Sequence, residues 1–226
     1  MEKTIALLLI ILLIIIGIVK QVFSFIKLKK SLSFTVNYRE KLISLINTLF
    51  STKKLYDEIY YDLTESVKRM QQELGEDGIF AYFVDHLSGI QTTNYQYLIN
   101  FLPSLRNIEF NNLLIMDRYK DSIHYCDDMF VRHIGTIKDN IRDVKKSFFN
   151  PFLCFSFGVK FIIALPISIM KWFGFISEKR YTKILQSRII TIFNMIMTIL
   201  SFVSSIISVT IGWDDFIQRL SSLFSK

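Results

Sequence analysis

Apolar residues along this chain form two kinds of pattern, unbroken runs and helical stripes, and the two kinds occupy different parts of it. Residues 4–19, TIALLLIILLIIIGIV, hold no charged residue, and the run continues to Ile26 past Lys20. A helix of that length crosses the hydrocarbon core if Lys20 snorkels. A cleaved signal peptide is the competing reading. The minimal region before the run and the lack of a small-x-small site after Val19 favour an uncleaved anchor.

From Tyr38 to Leu74 the pattern changes to a stripe. Leu42, Leu49, Tyr56, Leu63 and Met70 recur every seven residues, with Ile46, Tyr60, Val67 and Leu74 between them. That spacing predicts one long helix with a coiled-coil-like seam. Met116, Ile123, Phe130, Ile137 and Val144 repeat it, accompanied by Tyr119, Cys126, Ile134, Ile141 and Phe148. A second helix of about 40 residues follows, on the order of 60 Å long. Neither stripe is stable in water, so the expected solution packs the two helices antiparallel. Between them, GEDG ends the first helix through Gly75 or Gly78. IFAYFVDHL, residues 79–87, reads as a short helix, and Thr92, Thr93 and Asn94 cap another that runs to Leu102 before Pro103.

Two further apolar stretches close the chain. Residues 189–213 hold no charge and are long enough to span, with Ser201, Ser204, Ser205 and Ser208 available for close helix packing or, less simply, a lumen. The tail, 214–226, sets Phe216, Leu220, Leu223 and Phe224 on one side, as an interfacial amphipathic helix does. Residues 151–177 are as apolar but are interrupted by Lys160, Pro166 and Lys171. A lysine at mid-helix costs roughly 2.5 to 3.5 kcal/mol to insert, and the charge-free piece 161–170 is too short to cross.

Charge bears on that stretch. The formal net charge of +7 is concentrated beside the apolar runs: Lys20, Lys27, Lys29 and Lys30 after the first, and Lys171, Lys179, Arg180, Lys183 and Arg188 before the last. If 151–177 spanned, these clusters would lie on opposite sides, against the positive-inside bias. The expectation is therefore an interfacial helix, bent near Pro166, with Lys160, Lys171 and Trp172 at the head groups. A re-entrant hairpin is second and a third span last. Lys27, Lys29, Lys30, Lys179, Arg180 and Lys183 face anionic lipid, each attracted by roughly 1 kcal/mol. Nucleic acid is not an expected partner, because the basic residues lack aromatic interleaving and match no recognition module.

Half of the 226 residues are apolar, and there are only three prolines and eight glycines. The fold class is all-α: an integral membrane protein with two transmembrane helices and a long antiparallel helical bundle of coiled-coil type. Its expected parts are an anchor with basic flank (1–30), a bundle (31–150), an interfacial or re-entrant segment with a basic loop (151–188), a second span (189–213) and the tail (214–226). The expected location is a bacterial inner or plasma membrane, with the bundle facing the cytosol. Cys126 and Cys154, one on a polar helix and one in a greasy stretch, indicate no disulfide framework.

An anchor followed by YREKLISLI at 38–46, and a second long helix leading into ALPISIMKWFGF at 164–175, resembles the LemA family of bacterial membrane proteins over residues 1–177. Departures are clear. Ser44 and Leu45 stand where that family has paired basic residues and Pro-Asn, and its Tyr-Asn pair is missing from the second helix. The resemblance implies the order of elements and no activity.

For chemistry, Asp117, Asp121, His124 and Asp128 fall on one face of the second helix at spacings of four, three and four. Asp-x-x-His presents two ligands to a metal. Glu58, Asp62 and Glu65 on the first helix add carboxylates without a histidine, and the same face reads more simply as a solvated one opposite the seam. His86 and His133 sit in no catalytic pattern, and no phosphate loop, HExxH, GxSxG or dinucleotide fingerprint occurs. The expected function is non-enzymatic and without cofactor: a membrane-anchored helical scaffold, sensor or assembly protein that self-associates and meets an unidentified protein partner. A membrane-perturbing or pore-forming effector is the alternative, and a metal-binding bundle the third reading.

Overall fold

The computed structural model describes residues 2–84, 91–108, 110, 111, 113–210 and 218, apart from the side chains of 2–7, 83, 84, 113–115, 179 and 208–210. Among them are the helices α1 (Glu2–Thr52), α2 (Asp57–Leu74), α3 (Tyr97–Ser104), α4 (Leu113–Phe148), α5 (Pro151–Trp172), α6 (Glu178–Leu185) and α7 (Arg188–Thr210). A two-stranded antiparallel sheet pairs β1 (Ile79–Val84) with β2 (Gln91–Gln96). The chain forms two compact units, one of residues 1–25 with 143–226 and one of residues 26–142. Apart from residue 218, the expected tail helix lies outside the described residues, as do His86 and Trp213.

In the unit 26–142 the first stripe folds back on itself. Ser31 meets Glu73, Tyr38 Oη donates to the Leu63 carbonyl at 3.1 Å, and Lys41 pairs with Asp62 at 2.6 Å. Numbers rise on α1 as they fall on α2, so the two helices are antiparallel neighbours. The single helix expected from Tyr38 to Leu74 is thus two, with a turn at 53–56 where Lys53 takes a positive φ of 55°. The break has a local cause. Ser51 and Thr52 hydroxyls donate back to the Thr48 carbonyl (3.1 and 2.8 Å), and Thr52 Oγ1 also accepts from the Lys54 amide at 3.2 Å. Such bonds compete with continuation of the helix, and Asp57 and Glu58 favour a fresh N-terminus just beyond. Gly75 ends α2 as expected.

α4 completes the bundle, stacking Phe130 on Tyr38 at 5.9 Å and meeting α1 through the Arg39–Asp127 pair. Leu45, Leu63, Met70, Leu98 and Phe130 are fully buried at the centre of one core. The stripe positions therefore predict burial well, although Tyr56, in the turn, is exposed.

The connection differs from expectation. Residues 79–84 and 91–96 form a β-hairpin, Ile79 opposite Gln96 and Val84 opposite Gln91, where helices were predicted. Six apolar residues rich in aromatic and β-branched side chains fit either period, and strand propensity prevails here. Thr92, Thr93 and Asn94 lie in β2, so α3 starts at Tyr97 without them. Buried Gln71 links hairpin and helix, its Nε2 donating to the Gly78 carbonyl at 2.8 Å and its Oε1 accepting from the Leu98 amide at 3.0 Å.

In the other unit, α5 begins at a side-chain cap. Asn150 Oδ1 accepts from the amides of Phe152 and Leu153 at 3.0 and 3.3 Å, with Pro151 at the first helical position. The helix continues through Pro166 to Trp172 and closes in a Schellman motif: Phe175 N–H to the Met170 carbonyl, Gly174 N–H to that of Lys171, both 2.9 Å. Phe202 of α7 packs on Phe152 and Phe155 of α5 with ring centroids 5.2 and 6.4 Å apart.

Candidate functional site

Where α1 meets α5, two glycines set the spacing. A Cβ on Gly17 would lie 1.8 Å from the Cys154 carbonyl oxygen, and one on Gly158 would lie 2.1 Å from that of Leu13. Only glycine allows backbones this close, and Cys154-x-x-x-Gly158 is a small-x-x-x-small pattern of the kind that brings helices together in lipid. Leu13 faces Gly158 while Gly17 faces Cys154, so the helices run in opposite directions.

Next to that contact lies a buried polar cluster from three helices. Gln21 Nε2 donates to Cys154 Sγ at 3.3 Å, Ser147 Oγ lies within bonding reach of Gln21 Oε1, and Ser147 Oγ is 2.7 Å from the Val144 carbonyl. All three side chains are buried. A buried amide with both ends satisfied fixes register without a charge. Sequence pattern alone placed Cys154 in a greasy stretch and did not single out Gln21 or Ser147. Their only signal was a polar residue interrupting an apolar face.

The apolar surfaces of this unit point outward. Three helices are long and apolar enough to cross a membrane: the one over Leu8–Thr52, Pro151–Trp172 and Arg188–Ile207. Leu8, Leu12, Ile15, Ile162, Ile169, Ile192, Met195 and Leu200 are exposed. Of the expected interface residues, Lys160 and Pro166 are exposed, and Trp172 is 82% exposed. Lys171 pairs with Glu178 and sits 4.7 Å from the Tyr181 ring centroid. Lys27, Lys29 and Lys30 lie on α1, and Arg180 and Lys183, both exposed, lie on α6 with Lys179.

In the unit 26–142 the proposed metal face lies on α4. Asp117, Asp121, His124 and Asp128 are all exposed, and Asp117 pairs with Lys120 at 3.2 Å. Among the described residues no three His, Cys, Asp or Glu side chains come together as metal ligands. The carboxylate that the sequence reading passed over is Asp127. Arg39 grips it with two bonds, 2.6 and 2.9 Å, which hold the guanidinium in its charged form. Beside it, burial pushes the Cys126 thiol above its ordinary range, with Asp127 adding to the effect. Burial likewise raises the phenols of Tyr38 and Tyr97. These groups stay neutral and serve packing.

No protein-family model matches the chain, and no curated protein or solved structure shows a significant match to it. The likeness to LemA proteins therefore rests on the quoted residues alone.

Proposed function

We propose that this is an integral membrane protein, held in the bilayer by α1, α5 and α7, whose residues 26–142 act by contact as a scaffold, sensor or assembly module. The carrying observation is the burial pattern in the unit of 1–25 and 143–226: Gly17, Gln21, Ser147, Cys154 and Gly158 lie inside beside Phe155 and Val159, while most of the large aliphatic side chains face out. In lipid, helices associate through such small-residue contacts because apolar surface has nothing to gain by leaving the tails. The antiparallel contact of α5 with α1 favours a third span over a segment lying flat at the interface. Each basic flank then meets head groups on its own side, and Lys160 is the costly exception within the bilayer. Self-association belongs to this reading, supported by Tyr61, Tyr82 and Tyr125, which are exposed on the unit 26–142.

The rival is a membrane-perturbing effector. One observation favours it: Asn194 Oδ1 on α7 is buried without a hydrogen-bond partner among the described residues, on the same helix as Thr198, Ser201 and Ser205. Expression in cells carrying a potential-sensitive dye separates the two. A preserved potential with normal growth is the outcome expected of a scaffold, and collapse of the potential favours the rival.

A further inference from the structure

Between α1 and α2, in the unit 26–142, lies an open cleft of about 470 Å³. Its rim carries Lys30, Lys41 and Arg69 against one carboxylate, Asp62, and Ser33 and Asn37 add uncharged donors. The floor is apolar and firm: Leu63 and Tyr38 are buried, and the Tyr38 hydroxyl is already committed to the Leu63 carbonyl.

The cations are held in different ways. Arg69 is laid over the Phe34 ring, its guanidinium carbon 4.2 Å from the centroid, so its planar fork is oriented before any ligand arrives. Lys41 is spoken for by Asp62 at 2.6 Å. Lys30 makes no ion pair among the described residues and is exposed.

Three cations against one carboxylate leave two positive charges in the cleft. We propose that it binds a phosphate monoester, whose dianion matches that excess and whose three terminal oxygens suit a guanidinium fork, an ammonium and neighbouring hydroxyl or amide donors. In the sequence Lys30 follows the last residue of the apolar run, Ile26, by four positions. The monoester therefore comes either from a lipid head group or from a soluble metabolite, with the same chemistry recognised in both.

The test uses the full chain in phosphatidylcholine nanodiscs. Calorimetric titration with glycerol phosphate probes the soluble source. Thermal stabilisation by phosphatidic acid, compared with phosphatidylglycerol, an anionic phosphodiester, at matched total lipid charge, probes the lipid. Lys30→Gln and Arg69→Gln should each weaken whichever response is seen by roughly tenfold, the loss of one charge-assisted bond. Asp62→Asn, which releases Lys41, should strengthen it. Because Lys30 has no ion pair to lose, Lys30→Gln separates lost binding from lost folding. A response to glycerol phosphate supports a soluble ligand, and one to phosphatidic acid alone supports a head group. The proposal is overturned if neither probe responds, if phosphatidylglycerol does as well as phosphatidic acid, or if Lys30→Gln leaves the response unchanged.

Discussion

The two units use the same helical periodicity in opposite senses. In residues 26–142 most stripe positions on the first two helices are buried: Leu42, Leu49, Leu63 and Met70 join Phe130, Leu45 and Leu98 in the core, while charged pairs such as Lys41–Asp62 sit outside. In residues 1–25 and 143–226 the buried positions include Gly17, Gln21, Ser147, Cys154 and Gly158, and leucines and isoleucines face out. Water selects the first arrangement, because burying aliphatic surface is what stabilises a helix pair there. Lipid removes that gain and leaves close packing and satisfied polar groups to hold helices together. On the three-span reading, one chain carries two solutions to helix association, suited to two solvents.

Substitutions should break the units separately. The largest effect is expected at the glycines. Gly158→Leu and Gly17→Leu place a side chain into backbone, which cannot give way as a side chain does, so each should destabilise the α1–α5 contact by about 3 kcal/mol or more, at or above the top of the usual overpacking range. Both tryptophans of the chain, Trp172 and Trp213, belong to residues 143–226. Their fluorescence during unfolding in detergent should register the loss while hydrogen exchange within 26–142 stays unchanged.

Leu63→Ala makes the complementary cut. Leu63 is completely buried, and such a truncation costs roughly 2 to 5 kcal/mol. Hydrogen exchange within 26–142 should accelerate, with the tryptophan signal unmoved. Equal changes in both readouts would show that the units do not unfold independently.

A smaller, pH-dependent effect should also be confined to 26–142. Cys126, Tyr38 and Tyr97 have their acid dissociation pushed up by burial in the fold. A group whose pKa is raised on folding contributes stability at low pH and loses it as pH climbs past its unfolded value. Stability of this unit should therefore hold through neutrality and fall above roughly pH 8.5 for the thiol and about 10 for the phenols. The Cys126→Ser variant should lose the earlier part of that decline.

These comparisons also mark what could be read from sequence. Helical class, the stripe residues of the core and the stop at Gly75 follow from period and punctuation, which act within a few residues. The strand pair 79–84 and 91–96 was not legible, since six apolar residues satisfy two periods at once, and the contact that accompanies the strand, Phe80 on Tyr97 at 4.9 Å, appears only in the fold. The turn at 53–56 contains neither glycine nor proline, and hydroxyl groups end the helix instead. The oxyanion cleft was equally hidden. Lys30 and Arg69 are far apart in sequence, and only the fold-back of α2 brings them to one rim.

Side-specific labelling addresses the three-span reading most directly. Lys54, in the turn between α1 and α2, and Thr182, on α6, are both exposed, whereas the native cysteines are buried. In vesicles of defined orientation carrying Lys54→Cys or Thr182→Cys, a membrane-impermeant maleimide should reach the two positions from opposite sides, because α5 crosses between them. Labelling of both from the same side would contradict it and return residues 151–177 to an interfacial or re-entrant placement.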